Sequence, residues 1–315
     1  MRIDSMSFYT AGLGGILDNQ SAMARLNQQI ASGQALLAPK DDPVAMSRIM
    51  DLTDRVAQRS QYANNQANAD FTMQYESNVL TEMQNSLQSV QSKLSASTLN
   101  SDPQARSNMA QQMLAAFNNL LELSNSRDPS GNYLFAGDAT NLPTNTPPYQ
   151  NSGTTTPAVP ITGSPTAFNG NTTTRSVVID AGRQVQVSDS LNTVLQPGVA
   201  GSDLLQTLDE ARQRLQSSNA GDLTQANIDQ FNQVVNSAIK NLANIEYRVA
   251  GARNEIADVK KSTQTLLLID QTALGNLSQV NQAQAITELQ TRQTTLTAAM
   301  TAFAQTSSLS LFKFL

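Results

Sequence analysis

The 315-residue chain has no cysteine, no histidine and no tryptophan, and only 14% of it is charged. Without cysteine, no disulfide can staple the fold. Without histidine, the commonest general base and the commonest zinc ligand are both missing, which weighs against catalytic or metal chemistry. The net charge of −5 comes with no basic patch, and Lys260-Lys261 is the only adjacent lysine pair, which excludes a nucleic-acid binder. The longest strongly apolar run, Leu266 to Ile269, falls far short of the ~20 residues a membrane helix needs. The first twenty residues lack the charged start and apolar block of a cleavable signal peptide. The expectation is a chain that is either cytoplasmic or exported by a route reading some other feature.

Asparagine, glutamine, serine and threonine stand where charge is missing. Such a surface hydrates well in a monomer, yet packs against neighbours without burying ions. It suits an assembly subunit, and equally a secreted stalk or adhesin.

The periodicity is mostly helical. In "ASGQALLAPKDDPVAMSRIMDL" at 31–52, Gly33 is a stop for one helix, and Asp42-Pro43 is an N-cap with proline at the first helical position of the next. Apolar stripes follow at Ile49, Leu52, Val56, Ala63 and Ala67, then at Val79, Met83, Leu87, Val90 and Leu94. Asp102-Pro103 repeats the cap signature before a helix carrying Met109, Met113, Phe117 and Leu120.

The chain then changes character. "NYLFAG" at 132–137, framed by turn residues, predicts a hairpin in which Tyr133, Leu134 and Phe135 pack onto the helices. Between Asp138 and Arg175 there is no charged residue and six of the eleven prolines occur, so 141–174 is expected to be a looped surface insertion that adds little to the core. Period-two alternation through Val177, Ile179, Val185 and Val187, with Ala181-Gly182 between, predicts a second hairpin.

Helix returns from Ser202 through Leu205, Leu208 and Leu215. From Ile228 to Val280 a stripe advances by alternating steps of three and four, with Thr263 and Asp270 as its two polar members. A sustained seven-residue repeat of this kind marks a coiled-coil-like seam. The phase slips after Val280, with Ala283, Ile286 and Leu289 at steps of three, and a new stripe runs through Leu289, Gln293, Leu296, Met300, Phe303, Ser307, Ser310 and Phe314. The first segment carries a weaker one at Leu13, Ile16, Met23, Leu26 and Ile30. The fold class expected is mainly α: a long coiled-coil-like bundle built from both chain ends, with a small β-rich insertion in the middle. No catalytic constellation emerges. Asp41 and Asp42 are backbone neighbours that do not converge on one point, and "GLGG" at 12–15 lacks the rest of a dinucleotide loop.

These features together resemble the bacterial flagellin family. "LNQQIASGQALLAPKDDPVAMSRI" at 26–49 is similar to the family's N-terminal R-L-S-S-G…D-D-P-A region, and 272–315 resembles its C-terminal helix. The resemblance covers roughly 1–130 and 200–315. It implies terminal helices 1–42 and 276–315 in an inner tube (D0), a helical rod from 43–140 and 201–275 (D1), and an outer domain at 141–200 (D2). The assembly interface implied comprises Ile16, Met23, Leu26, Ile30, Ile286, Leu289, Leu296, Met300, Phe303 and Phe314, with Gly33, Asp42 and Pro43 at the corner between domains. "SNSRDPSGNYLFAGDAT" at 124–140 and the small middle segment set the chain apart from filament subunits and imply a junction role. "LQSVQSKL" at 87–94 points the same way, since Ser89 and Gln91 stand where flagellins carry arginines. Implied partners are identical copies, hook-associated protein 1, flagellin, and an export chaperone on the C-terminal helix, with no cofactor, nucleic acid or membrane. The implied location is the extracellular flagellum, reached through its type III apparatus. The alternatives are a minor flagellin and a secreted coiled-coil adhesin.

Overall fold

The computed structural model describes residues 2–96, 102–128, 131–139, 142, 146–151, 166–196, 199, 202–217 and 224–312. Its helices are α1 (Arg2–Ser32), α2 (Pro43–Ala96), α3 (Pro103–Ser124), α4 (Asn192–Leu195), α5 (Leu204–Gln216), α6 (Gln225–Ser278) and α7 (Gln282–Phe312). Two antiparallel pairs, β1 (Tyr149–Asn151) with β2 (Thr166–Phe168) and β3 (Ser176–Asp180) with β4 (Arg183–Gln186), make the β content. The fold is therefore mainly α with a small β insertion, as the sequence predicts. The chain divides into two compact units, one from 1–60 with 265–315, the other from 61–264.

Almost all of the core lies in the second unit. On α2 the buried positions Gln66, Ala69, Met73, Glu76, Leu80, Met83, Leu87, Val90 and Leu94 alternate by three and four, with Val79 buried beside Leu80. That phase differs upstream from the stripe expected on sequence: Ala67 is exposed, because the repeat continues backward from Met83 through polar Glu76 and Gln66. On α3 Arg106, Ala110, Met113, Phe117, Leu120 and Ser124 are buried at the same spacing. Asp102 makes no side-chain cap there, so the start of α3 rests on the fixed φ of Pro103. Asp203 caps α5 by accepting from the Gln206 amide at 3.1 Å. The α6 seam is buried from Ile228 to Val259 except at Ala252, which is half-buried.

The two polar positions of the α6 seam, Thr263 and Asp270, find partners. Gln66 Nε2 donates to Thr263 Oγ1 at 2.9 Å and to the Ile179 carbonyl at 2.7 Å. In the other unit Asp270, 3% exposed, accepts from Arg55 at 2.9 Å and Arg59 at 2.6 Å. Leu266, which a strict repeat puts in the seam, is 39% exposed, and Leu267 is half-buried instead.

The β3–β4 hairpin turns at Gly182, whose φ of +77° suits a residue without Cβ. Ile179, Val185 and Val187 point into the core. Around "NYLFAG" the described residues form no regular hairpin. A turn closes when the Asp128 amide donates to the Asn132 carbonyl at 2.8 Å, with Arg127 and Tyr133 forming a single bridge, and Ala136 bridges Ser190 farther on. Tyr133, Leu134 and Phe135 are nevertheless all buried.

The expectation that 141–174 adds little to the core is overturned at one residue. Tyr149 is fully buried; Asn125 Nδ2 donates to its carbonyl at 2.9 Å, and its amide donates to Asn125 Oδ1 at 3.0 Å. Its ring lies 4.9 Å from that of Phe168. An amide at the end of α3 thus seats a strand that local pattern marks as loop.

Candidate assembly interface

In the unit formed by the chain ends, α1 and α7 pack antiparallel. The face of α1 turned inward is Gly12, Ile16, Asn19, Met23, Leu26 and Ile30; that of α7 is Ala285, Leu289, Arg292, Leu296, Ala299 and Phe303. Both advance by four and three in the same order. Two contacts fix the rotation of α7. Asn19 Nδ2 donates to the Arg292 carbonyl at 3.1 Å, and a Cβ at Gly12 would meet the Phe303 ring at 3.0 Å, a crowding that glycine relieves. Tyr9 adds an aromatic contact to Phe303 at 4.8 Å.

This rotation divides the residues singled out on sequence. Ile16, Met23, Leu26, Ile30, Leu289, Leu296 and Phe303 meet within the chain. Ile286 and Met300 face outward, at 44% and 51% exposure, and Gln293 between them is exposed too. The seam of α7 runs through Arg292 and Ala299 instead, with the Arg292 carbonyl held by Asn19. Phe314 lies outside the described residues, and the side chains of Ser307 and Ser310 are not described.

Much apolar surface stays uncovered. Leu26 and Ala285 are the only apolar side chains of this unit that are buried among the described residues. Tyr9, Leu13 and Leu17 form an exposed stripe on α1 at helical spacing, and Val44, Met50, Leu268 and Ile269 are exposed on α2 and α6. Stripes of large apolar residues on a unit with almost no core of its own mark an interaction surface.

The breaks between helices are tied to one another. Gly33, at φ +71°, ends α1, its amide donating to the Gln29 carbonyl at 2.8 Å. Asp41 and Asp42 divide the work of the corner. Asp41 Oδ2 accepts from the amides of Leu37 and Ala38 at 3.3 and 3.1 Å and pairs with Arg25 at 3.3 Å. Asp42 Oδ1 accepts from Val44 and Ala45 at 3.0 and 2.9 Å, capping α2 ahead of Pro43. The α6–α7 break is capped by Asn281, which accepts from the Gln284 amide at 3.2 Å. Across the two breaks the Ala35 amide donates to the Ser278 carbonyl at 2.8 Å, and the Val280 amide to the Gly33 carbonyl at 3.0 Å. Sequence reasoning missed this clasp. The phase slip after Val280, followed by a cap-forming asparagine, was the available signal.

Among the described residues, no helix is long and apolar enough to cross a membrane, and no group of three metal-ligating side chains occurs.

Residues 6–140 match the family model of the bacterial flagellin N-terminal helical region. Over that stretch the chain is similar to bacterial flagellins, and its mainly helical plan with a small middle β insertion agrees with that similarity. Over its full length it is similar to flagellar hook-associated protein 3. It is 25% identical over 332 residues to that protein of Salmonella typhimurium, and 26% identical over 324 residues to that of Escherichia coli, covering 99% of each chain in both cases. A flagellar hook-associated protein of Vibrio parahaemolyticus superposes with a TM-score of 0.64 at 19% identity, covering 76% of this chain and all of that one. The flagellar junction protein of Legionella pneumophila gives 0.56 at 15% identity, covering 73% and 99%.

Proposed function

We propose that the chain is a junction subunit that joins the hook-associated protein 1 zone to the flagellin filament, acting as a ring of identical copies without catalysing a reaction. The observation that carries this reading is the terminal unit: its two helices are paired, yet Tyr9, Leu13 and Leu17 of α1 and Ile286 and Met300 of α7 stay exposed on their outer faces. Neighbouring copies would supply the missing surface, and burying each Leu, Met or Phe contributes ~1.5–3 kcal/mol. Loss of side-chain freedom offsets part of that gain, so docking depends on many contacts at once. On this reading 1–42 and 276–315 form the inner tube, 43–140 and 201–275 the rod, and 141–200 the outer domain. An export chaperone covers the C-terminal helix until delivery, and the route is the flagellar type III apparatus, ending outside the cell.

The test is deletion of the gene and inspection of the cell surface. The expected result is hooks that bear no filaments, with flagellin released into the medium and filaments restored by the wild-type gene. Filaments of normal length on the deletion strain would overturn the reading. Polymerisation of the purified chain by itself into long filaments would favour a minor flagellin instead.

A further inference from the structure

The chain has ten methionines, and the described side chains fall into sharply different environments. Met73, Met83 and Met113 lie in the core of the second unit at 1% exposure or less. Met50 and Met300 stand 64% and 51% exposed, both in the terminal unit. Met300 shares its outward side of α7 with Ile286, two heptads back, and Met50 lies on α2 beyond the exposed Val44. Neither belongs to the α1–α7 seam.

We propose that Met50 and Met300 are modification sites: their thioethers take one oxygen atom from a hydroperoxide, and the resulting sulfoxides block assembly while leaving the folded body intact. The assembly consequence rests on the function proposed above; the identity of the sites does not. In the step, a sulfur lone pair attacks the distal peroxide oxygen and the O–O bond breaks. Thioether and hydrogen peroxide become sulfoxide and water, the sulfur losing two electrons. Access decides which methionines react, because thioether oxidation needs contact with the oxidant. The product turns a flexible apolar side chain into a polar one with a strong acceptor oxygen. On a surface that must be buried against a neighbour, that oxygen loses water and gains no donor, which opposes docking. The core methionines are protected, so the second unit keeps its packing.

The experiment treats purified full-length protein with hydrogen peroxide, maps the methionines by peptide mass, and adds the protein to hook tips lacking it. The expected map shows the ~16 Da gain first at Met50 and Met300 and last at Met73, Met83 and Met113. Oxidised wild type should lose incorporation with its helical circular dichroism unchanged. The Met50→Leu, Met300→Leu double variant should keep incorporation after the same treatment, and methionine sulfoxide reductases with a thiol should restore the wild type. Oxidation of core methionines at the same rate would overturn the site assignment. Full incorporation of wild type oxidised at both positions, or equal loss in the double variant, would overturn the proposed effect and leave the junction reading standing. If untreated protein never joins hook tips, the junction reading falls, and the sites are still decided by the peptide map.

Discussion

Glu76 offers a direct measurement of what a buried charge does to this fold. It occupies a core position of α2 at 1% exposure, in step with Met73 and Leu80, and its Oε1 has no hydrogen-bond partner. Burial pushes its carboxyl up to about 8 from an ordinary 4.5, and the nearby Arg248 guanidinium, which pairs with Asp189, pulls it only part of the way back. The folded state therefore holds a proton that the unfolded state releases between those two values. Stability is then highest below the unfolded value and falls as pH rises towards the folded one, by about 1.4 kcal/mol per pH unit. At pH 7 the accumulated loss is about 3 kcal/mol, and it levels off at about 5 kcal/mol above pH 8. Glu76→Gln keeps the shape and removes the titration. Urea unfolding followed by circular dichroism from pH 4 to pH 9 should give similar stabilities for both proteins at the acid end. The variant should be more stable by about 3 kcal/mol at pH 7. Other carboxylates affect both proteins alike, so the difference isolates Glu76. Curves that stay parallel across the whole range would refute a neutral buried Glu76.

Phe135, fully buried, should cost ~3–5 kcal/mol when changed to alanine, and a loss well under one in the same urea assay would place its ring outside the core. Tyr149→Ala should destabilise by a similar ~3–5 kcal/mol, whereas exchanging 152–165 for a Gly-Ser linker should leave the helical signal intact; the reverse pattern would remove Tyr149 from the core. Asp270→Ala should cost about 3 kcal/mol, the low end for a broken buried pair because Arg55 is half exposed, and no change in thermal unfolding would show that the pair contributes nothing. Leu296→Asp or Phe303→Asp should abolish incorporation at hook tips with the melting temperature of the 61–264 unit nearly unchanged, and full filaments from either variant would break the link between the α1–α7 seam and assembly.

The helical plan was legible in the sequence because each long helix repeats its buried positions every seven residues. The α6 seam is the clearest case: spacing placed Thr263 and Asp270 in the interior although both are polar, and the partners Gln66, Arg55 and Arg59 explain how the interior tolerates them. Where polar residues occupy seam positions, apolar pattern alone misplaces the stripe. Glu76 and Gln66 sit in phase with Met73 and Leu80, yet apolar residues alone trace the α2 stripe through Ala67. The outward turn of Ile286 and Met300 depends on how α7 meets Gly12 and Asn19 of α1, a fit that no local pattern contains. Tyr149 was missed for a related reason, since it is held by Asn125 from another element. The exposed stripes of the terminal unit were visible as apolar residues, but sequence alone could not divide those that close on the chain itself from those left open.

The clasp between the helix breaks also governs when the chain can finish folding. Its two backbone bonds join Gly33 and Ala35 to Val280 and Ser278, and the Asn19–Arg292 bond spans 273 positions. Closing contacts so distant in sequence costs loop entropy before any of them contributes, which slows their formation. A polypeptide delivered end first cannot complete the first corner until nearly its whole length is free. Its opening helix waits for its last one, and trimming either terminus strips the other of its mate.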